Sequence, residues 1–276
     1  MKISVFHAHI DQVAKETGRS LEECLQYYAD RGLEALEIHS LSINEIGWET
    51  LKGILERTGL RLSSIFRIFD FAKDPDIAPV REVLEQAKFF GVKNVMFVPG
   101  WYQKEDRREE EKAQIVAVFR QACALGKEYG VEITIEDFGS SNTIVSTMDS
   151  MLWLLEQVED LKVTLDTGNF MYSDGDLLEA FERMKERIVH VHMKDQKNAC
   201  PPGYDRNPDR SSSGVAIYPS PLGEGILPLR EILERLDGIG YEGYLPIEIF
   251  HVQNMQEDIT KSIRWIRETL NSIQKG

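Results

Sequence analysis

The sequence predicts a (β/α)8 barrel of the α/β class, one domain covering residues 1–276, and three observations carry that expectation. Eight short, β-branched apolar runs alternate with eight longer amphipathic stretches, the pattern of parallel strands joined by crossover helices. Glycine ends helical stretches at Arg31-Gly32, Thr58-Gly59, Phe90-Gly91, Tyr129-Gly130 and Ile239-Gly240, where a positive φ carries no Cβ penalty. The length, 276 residues, suits a barrel, which takes about 250 residues as one unit. No linker or low-complexity tract divides it.

Taken in order, the predicted strands are 3–6, 35–38, 61–66, 94–98, 132–136, 162–166, 188–193 and 244–248, each short enough for a buried parallel strand. The predicted helices are 20–30, 48–57, 77–90, 105–129, 146–157, 174–185, 229–236 and 255–270. The acidic run at 105–111 suits the start of the fourth helix, where the helix dipole favours negative charge. One connection stands apart. Residues 195–226, rich in Pro, Ser and Gly, follow the seventh strand and are too long for a simple loop, so a cover over the barrel mouth is expected there.

Lys and Arg total 32 against 46 Asp and Glu, a formal charge of −14, which repels phosphate backbones and anionic membranes. Neither nucleic acid nor a membrane is an expected partner. Cys24, Cys123 and Cys200 are widely spaced and odd in number, as in a reducing compartment. His7, His9 and Asp11 interrupt the N-terminus before an apolar signal segment develops, and no apolar run is long enough to span a bilayer. A cytoplasmic protein is expected, with a homo-oligomer left open. Ile217 and Tyr218 are candidates for an interface.

Barrel active sites lie at the C-terminal ends of the strands, so the polar residues closing each run are the candidates. Glu136, Asp166, His192 and Glu248 close the fifth to eighth strands. Three carboxylates and an imidazole converging on one axis repel and raise one another's pKa unless a cation neutralises them. One divalent ion meets that need, and the donor set suits Mn or Mg, or Co or Zn through the imidazole. His7 and His9 end the first run, Glu37 and His39 the second, and Arg67 follows the third. His7, Glu37 and Arg67 are candidate substrate contacts, Arg67 for a carboxylate or phosphate. Lys194 either polarises a substrate oxygen or pairs with Asp195. Trp101 and Phe69 either stack on a sugar face or pack.

The segments ITIEDFG at 133–139, LDTGNF at 165–170, HVHMKD at 190–195, GEGILPL at 223–229 and LPIEIF at 245–250 together resemble the xylose isomerase-like TIM barrels of sugar isomerases and epimerases, whose family also holds a DNA-repair endonuclease branch. The resemblance covers nearly the whole chain. It implies that Glu136, Asp166, His192 and Glu248 bind one divalent metal and that Glu136 and Glu248 double as the acid/base pair. Where many ketose epimerases carry His three residues after the sixth-strand Asp, this chain has Asn169, which is expected to contact a substrate hydroxyl. The third and fourth strand ends, SSIFRIF and FVPGW, lack the histidines of the repair branch. The implied function is isomerisation or epimerisation of a small polyhydroxylated carbonyl compound, a ketose or keto-inositol. The expected route is proton transfer, the metal chelating the carbonyl and hydroxyl oxygens of the enediolate. A dehydratase, lyase or hydrolase acting on a keto-inositol or 3-keto-sugar is the alternative, and a non-catalytic sugar-binding barrel a more remote one.

Overall fold

The structure, a computed structural model, describes residues 1–139 and 141–275. Eight parallel strands form the barrel: β1 (Lys2–Phe6), β2 (Ala35–His39), β3 (Arg61–Ile68), β4 (Asn94–Val98), β5 (Glu132–Ile135), β6 (Lys162–Asp166), β7 (Ile188–His192) and β11 (Tyr244–Ile247). They lie in the order β11-β1-β2-β3-β4-β5-β6-β7. Met193 closes the ring. Its N–H donates to Pro246 O at 2.8 Å, and Glu248 N–H donates back to Met193 O at 3.0 Å.

The crossover helices fall where helical periodicity places them. Helix α10 (Met255–Ile273) buries Met255, Ile259, Ile263 and Ile266, one stripe at helical spacing. Helix α2 (Leu21–Ala29) starts on a capping box in which Ser20 and Glu23 satisfy each other's backbone donors. Two short helices depart from the expected pattern. Both α1 (His7–Thr17) and α3 (Ser40–Ile46) begin directly after strands β1 and β2. Helix α1 buries Ile10 and Val13 and ends on Gly18 at φ 70°. His7 and His9 are therefore first-turn helix residues rather than a strand end.

Inside the barrel small hydroxyl side chains meet, in one pair across β2 from β1 to β3 and in the other between adjacent β5 and β6. The Ser4 and Ser63 hydroxyls lie 2.7 Å apart, as do those of Thr134 and Thr164. Thr134 and Thr164 lie two residues before Glu136 and Asp166, so the same faces that carry the hydroxyls carry the two carboxylates into the mouth.

Residues 195–226 are more ordered than their composition suggested. They hold an antiparallel sheet of β8 (Asp195–Lys197), β9 (Asp209–Arg210) and β10 (Ala216–Ser220), in the order β8-β10-β9. Ile217 is buried there and so offers no interface, while Tyr218 packs edge-on against Tyr204 at 5.3 Å. No helix among the described residues is long and apolar enough to cross a membrane.

Candidate metal centre

Glu136, Asp166, His192 and Glu248 meet at the barrel mouth, each offering one ligand atom within 4.8 Å of the others. All four are buried. His192 Nδ1 lies 2.8 Å from Glu136 Oε2 and 3.3 Å from Glu248 Oε2. Asp166 Oδ1 accepts the backbone N–H groups of Gly168 and Asn169, both at 2.7 Å, which fixes the carboxylate and leaves Oδ2 facing the cluster. Asp166 Oδ2 and Glu248 Oε2 are buried and accept no well-formed hydrogen bond among the described residues; each is reached only by an ion-pair contact, from Lys194 Nζ at 3.0 Å and His192 Nδ1 at 3.3 Å. Buried carboxylate oxygens of this kind cost free energy unless a cation or donor reaches them. The donor set, three carboxylates and one imidazole, fits a divalent ion.

The electrostatics show what the crowding does. Burial pushes Glu136 up to about 7 despite the opposing pull of His192. For Glu248, burial is overcome by Lys194 and His192, which hold it well below the usual carboxylate range. Burial also raises Asp166. The His192 imidazole is disfavoured by burial, yet Glu37 and Glu136 lift it well above its ordinary value.

Lys194 stands inside this cluster. Its Nζ lies 3.0 Å from Asp166 Oδ2 and 2.7 Å from Glu248 Oε1, and donates to Asn169 Oδ1 at 2.8 Å. Gly168 makes room for it, since a Cβ there would meet Lys194 Cγ at 2.7 Å. Lys194 does not pair with Asp195. The Asp195 carboxylate instead accepts backbone N–H groups from Gly223 at 2.9 Å, Gly225 at 3.0 Å, Gln196 at 2.9 Å and Leu227 at 3.3 Å, tying both ends of the 195–226 segment together. Above Glu248 and Lys194 a cavity of about 50 Å³ is walled by Tyr172, Gln196, Ile217 and Phe250.

The other expected contacts are placed differently. Asn169 is engaged on both sides, its Nδ2 donating to Asp137 O at 2.8 Å while Oδ1 accepts Lys194. Glu37 is fully buried behind His192, and burial is overcome by His192 and His190, which hold its carboxyl down at about 2. Arg67 turns toward helix α5 (Ala78–Phe90), pairing with Glu82 at 2.7 Å. Arg67 is a residue of β3 itself, and which way it faces depends on the register of that strand, which shifts between Leu62 and Ser64. His7 lies 3.4 Å from Asp11, and His9 Nε2 accepts Ile249 N–H at 2.9 Å. Phe69 stacks on Phe71 at 4.5 Å and is core, whereas Trp101 stays half-exposed at the rim, edge-on to Phe138. Asp137 escaped notice in the sequence. It is buried beside Glu136, and burial together with the charges of Asp166 and Glu136 raises its carboxyl far above normal. The acidic pair in ITIEDFG was the available signal.

Residues 25–269 match the family described as Xylose isomerase-like TIM barrel. The chain belongs to that family. An inosose isomerase of Bacillus licheniformis is 25% identical over 195 residues, 70% of this chain and 66% of that one. An inosose dehydratase of Clostridium perfringens is 24% identical over 274 residues, 91% of each. A solved structure in the same fold, the IOLI protein with a bound zinc atom, superposes with a TM-score of 0.72 at 20% identity over 99% of both chains. Membership in the xylose isomerase-like family thus joins a barrel and a buried acidic mouth in one chain.

Proposed function

We propose that the chain is a divalent-metal-dependent isomerase or epimerase of a small polyhydroxylated carbonyl compound, a ketose or keto-inositol. The observation that carries this reading is the convergence of Glu136, Asp166, His192 and Glu248, three buried carboxylates and an imidazole each offering an atom within 4.8 Å of the others. The relative named inosose isomerase supports the substrate class. Those four residues would hold the ion, which when bound supplies the positive charge that stabilises negative charge developing on substrate oxygens.

The remaining work falls to the chain itself. Removing the proton α to a carbonyl and returning it elsewhere needs a base and an acid within reach of the same carbon. Glu136 and Glu248 approach His192 Nδ1 from different strands, and we assign the proton transfers to them. Of the residues expected to touch substrate, Lys194 is the one we retain, with its ammonium in the cavity wall. We assign Asn169 to orienting that ammonium. Tyr172 and Phe250 line the same cavity.

A second reading is favoured by Lys194 and by the relative named inosose dehydratase. In it the same base takes the α proton, the C–O bond to a β-hydroxyl breaks, and the Lys194 ammonium protonates the departing oxygen as water. Metal-replete protein incubated with a panel of ketoses and keto-inositols separates the two by mass spectrometry. The expected product has unchanged mass. Loss of a water selects dehydration, and turnover of no member of the panel overturns both readings.

A further inference from the structure

We propose that Glu37 is a positioning residue for the metal centre: braced by His190, it fixes the ring of His192 so that Nδ1 faces the carboxylates of Glu136 and Glu248. The inference rests on the metal-site reading above and extends it one residue deeper into the barrel.

Glu37 Oε1 lies 3.1 Å from His192 Nε2, and Oε2 lies 2.8 Å from His190 Nε2. All three side chains are buried in the barrel interior. The contact crosses that interior, because β2 and β7 are separated in the sheet by β1 and β11. Both register shifts among the described barrel strands occur at these residues. One falls between Leu36 and Glu37 against β3, the other where Val163 and Thr164 meet Ile188 and His190. Such irregularities re-aim side chains beside functional sites.

The chemistry explains the need. An imidazole that binds a cation through Nδ1 must keep its proton on Nε2, and the partner of Nε2 decides which tautomer is present. A carboxylate accepting that N–H fixes the ring and raises the basicity of the other nitrogen. His190 occupies the second oxygen of Glu37, so the carboxylate cannot turn away. Phe6 closes another side, edge-on to His192 at 4.9 Å. Glu37, His190 and His192 also offer three atoms close enough to hold an ion of their own, which makes stoichiometry part of the test.

Metal-free wild type, Glu37→Leu and Glu37→Gln are titrated with Zn²⁺ by calorimetry and with Co²⁺ by visible absorption. Wild type should bind one ion. Glu37→Leu fills the space without an acceptor and should weaken binding by about 10–100-fold, with a changed Co²⁺ spectrum. Glu37→Gln keeps an oxygen for the Nε2 proton and should recover most of that loss. Equal affinity and spectrum in wild type and Glu37→Leu overturn the positioning role while leaving the metal centre intact. Two ions in wild type falling to one in Glu37→Leu make the triad a second site and likewise overturn it. No ion bound by wild type overturns the metal reading and this inference together. If Glu37→Leu does not fold, His190→Gln answers the same question, weaker binding supporting the role and unchanged affinity overturning it.

Discussion

Lys194 Nζ sits 2.7 Å from Glu248 Oε1, in a pocket where three acidic side chains are buried together. That ammonium, together with His192, offsets the charge of the buried carboxylates. Breaking a buried ion pair from one side typically costs about 3–5 kcal/mol. Lys194→Met should therefore lower the stability of the metal-free protein by about 3 kcal/mol, measured by urea denaturation. Saturating Mn²⁺ should return a large part of that loss, and turnover should stay depressed even so. A metal-free Lys194→Met protein as stable as wild type would show that Lys194 neutralises nothing.

Asp166→Ala and His192→Ala each remove one of the four side chains proposed to hold the metal. Both should fold and lose stoichiometric metal by elemental analysis, since binding by a set this small depends on every donor. Full metal retention in both would remove the assignment.

The acid/base roles of Glu136 and Glu248 are tested by Gln replacements, which keep size and an oxygen but remove the ionisable group. Turnover should fall by roughly 10²-fold or more in each. In D₂O the product should carry deuterium at the carbon α to the carbonyl. Near-normal activity in both variants defeats the assignment; product free of deuterium would favour a hydride shift, unless the base shields its proton from solvent.

Asp195 gathers four backbone N–H groups from the two ends of residues 195–226. Hydrogen bonds to a charged acceptor contribute about 1.5–3 kcal/mol each at most, so Asp195→Ala should free the segment without unfolding the barrel. Limited proteolysis within 197–222 should accelerate about tenfold, the equivalent of ~1.4 kcal/mol, and the Michaelis constant should rise. Gly225→Ala should act similarly, because its Cβ would meet Asp195 Oδ1. Unchanged cleavage and kinetics in both would mean that the clamp does not hold a cover.

His9 provides a pH signature. Burial holds its imidazole down to about 4, from an ordinary value of 6.5, against the opposing charge of Glu248. Between those pH values the unfolded chain binds a proton that the folded chain does not. The stability contribution is thus complete above about pH 6.5 and is lost as pH falls toward 4, with a slope of up to about 1.4 kcal/mol per pH unit. His9→Gln keeps an acceptor for Ile249 N–H and should flatten the wild-type loss between pH 6.5 and 4.5. Parallel curves would mean that His9 titrates alike in both states.

The barrel and the convergence of four strand-end residues were legible because their signals are local. Thr134 and Glu136, Thr164 and Asp166, and His190 and His192 are two residues apart, and a strand sends such pairs to one face whatever the rest of the chain does. The helix stops at Gly59, Gly91 and Gly130 are local too, and each glycine has positive φ in the structure. The short helices α1 and α3 were missed because seven to eleven residues barely complete an amphipathic stripe. The sheet within 195–226 was missed because its two- to five-residue strands carry no periodicity of their own.

Partner choice was beyond the sequence by itself. That Glu37 lies behind His192, that Lys194 joins Asp166 and Glu248 while Asp195 binds backbone amides, and that Arg67 pairs with Glu82 all follow from how strands are staggered around the closed ring. A register shift of one residue sends a side chain to the opposite face. The two shifts beside Glu37 and His190 arise from the packing of whole strands, so the sequence determined which residues reach the mouth, and only the tertiary structure decided which of them touch.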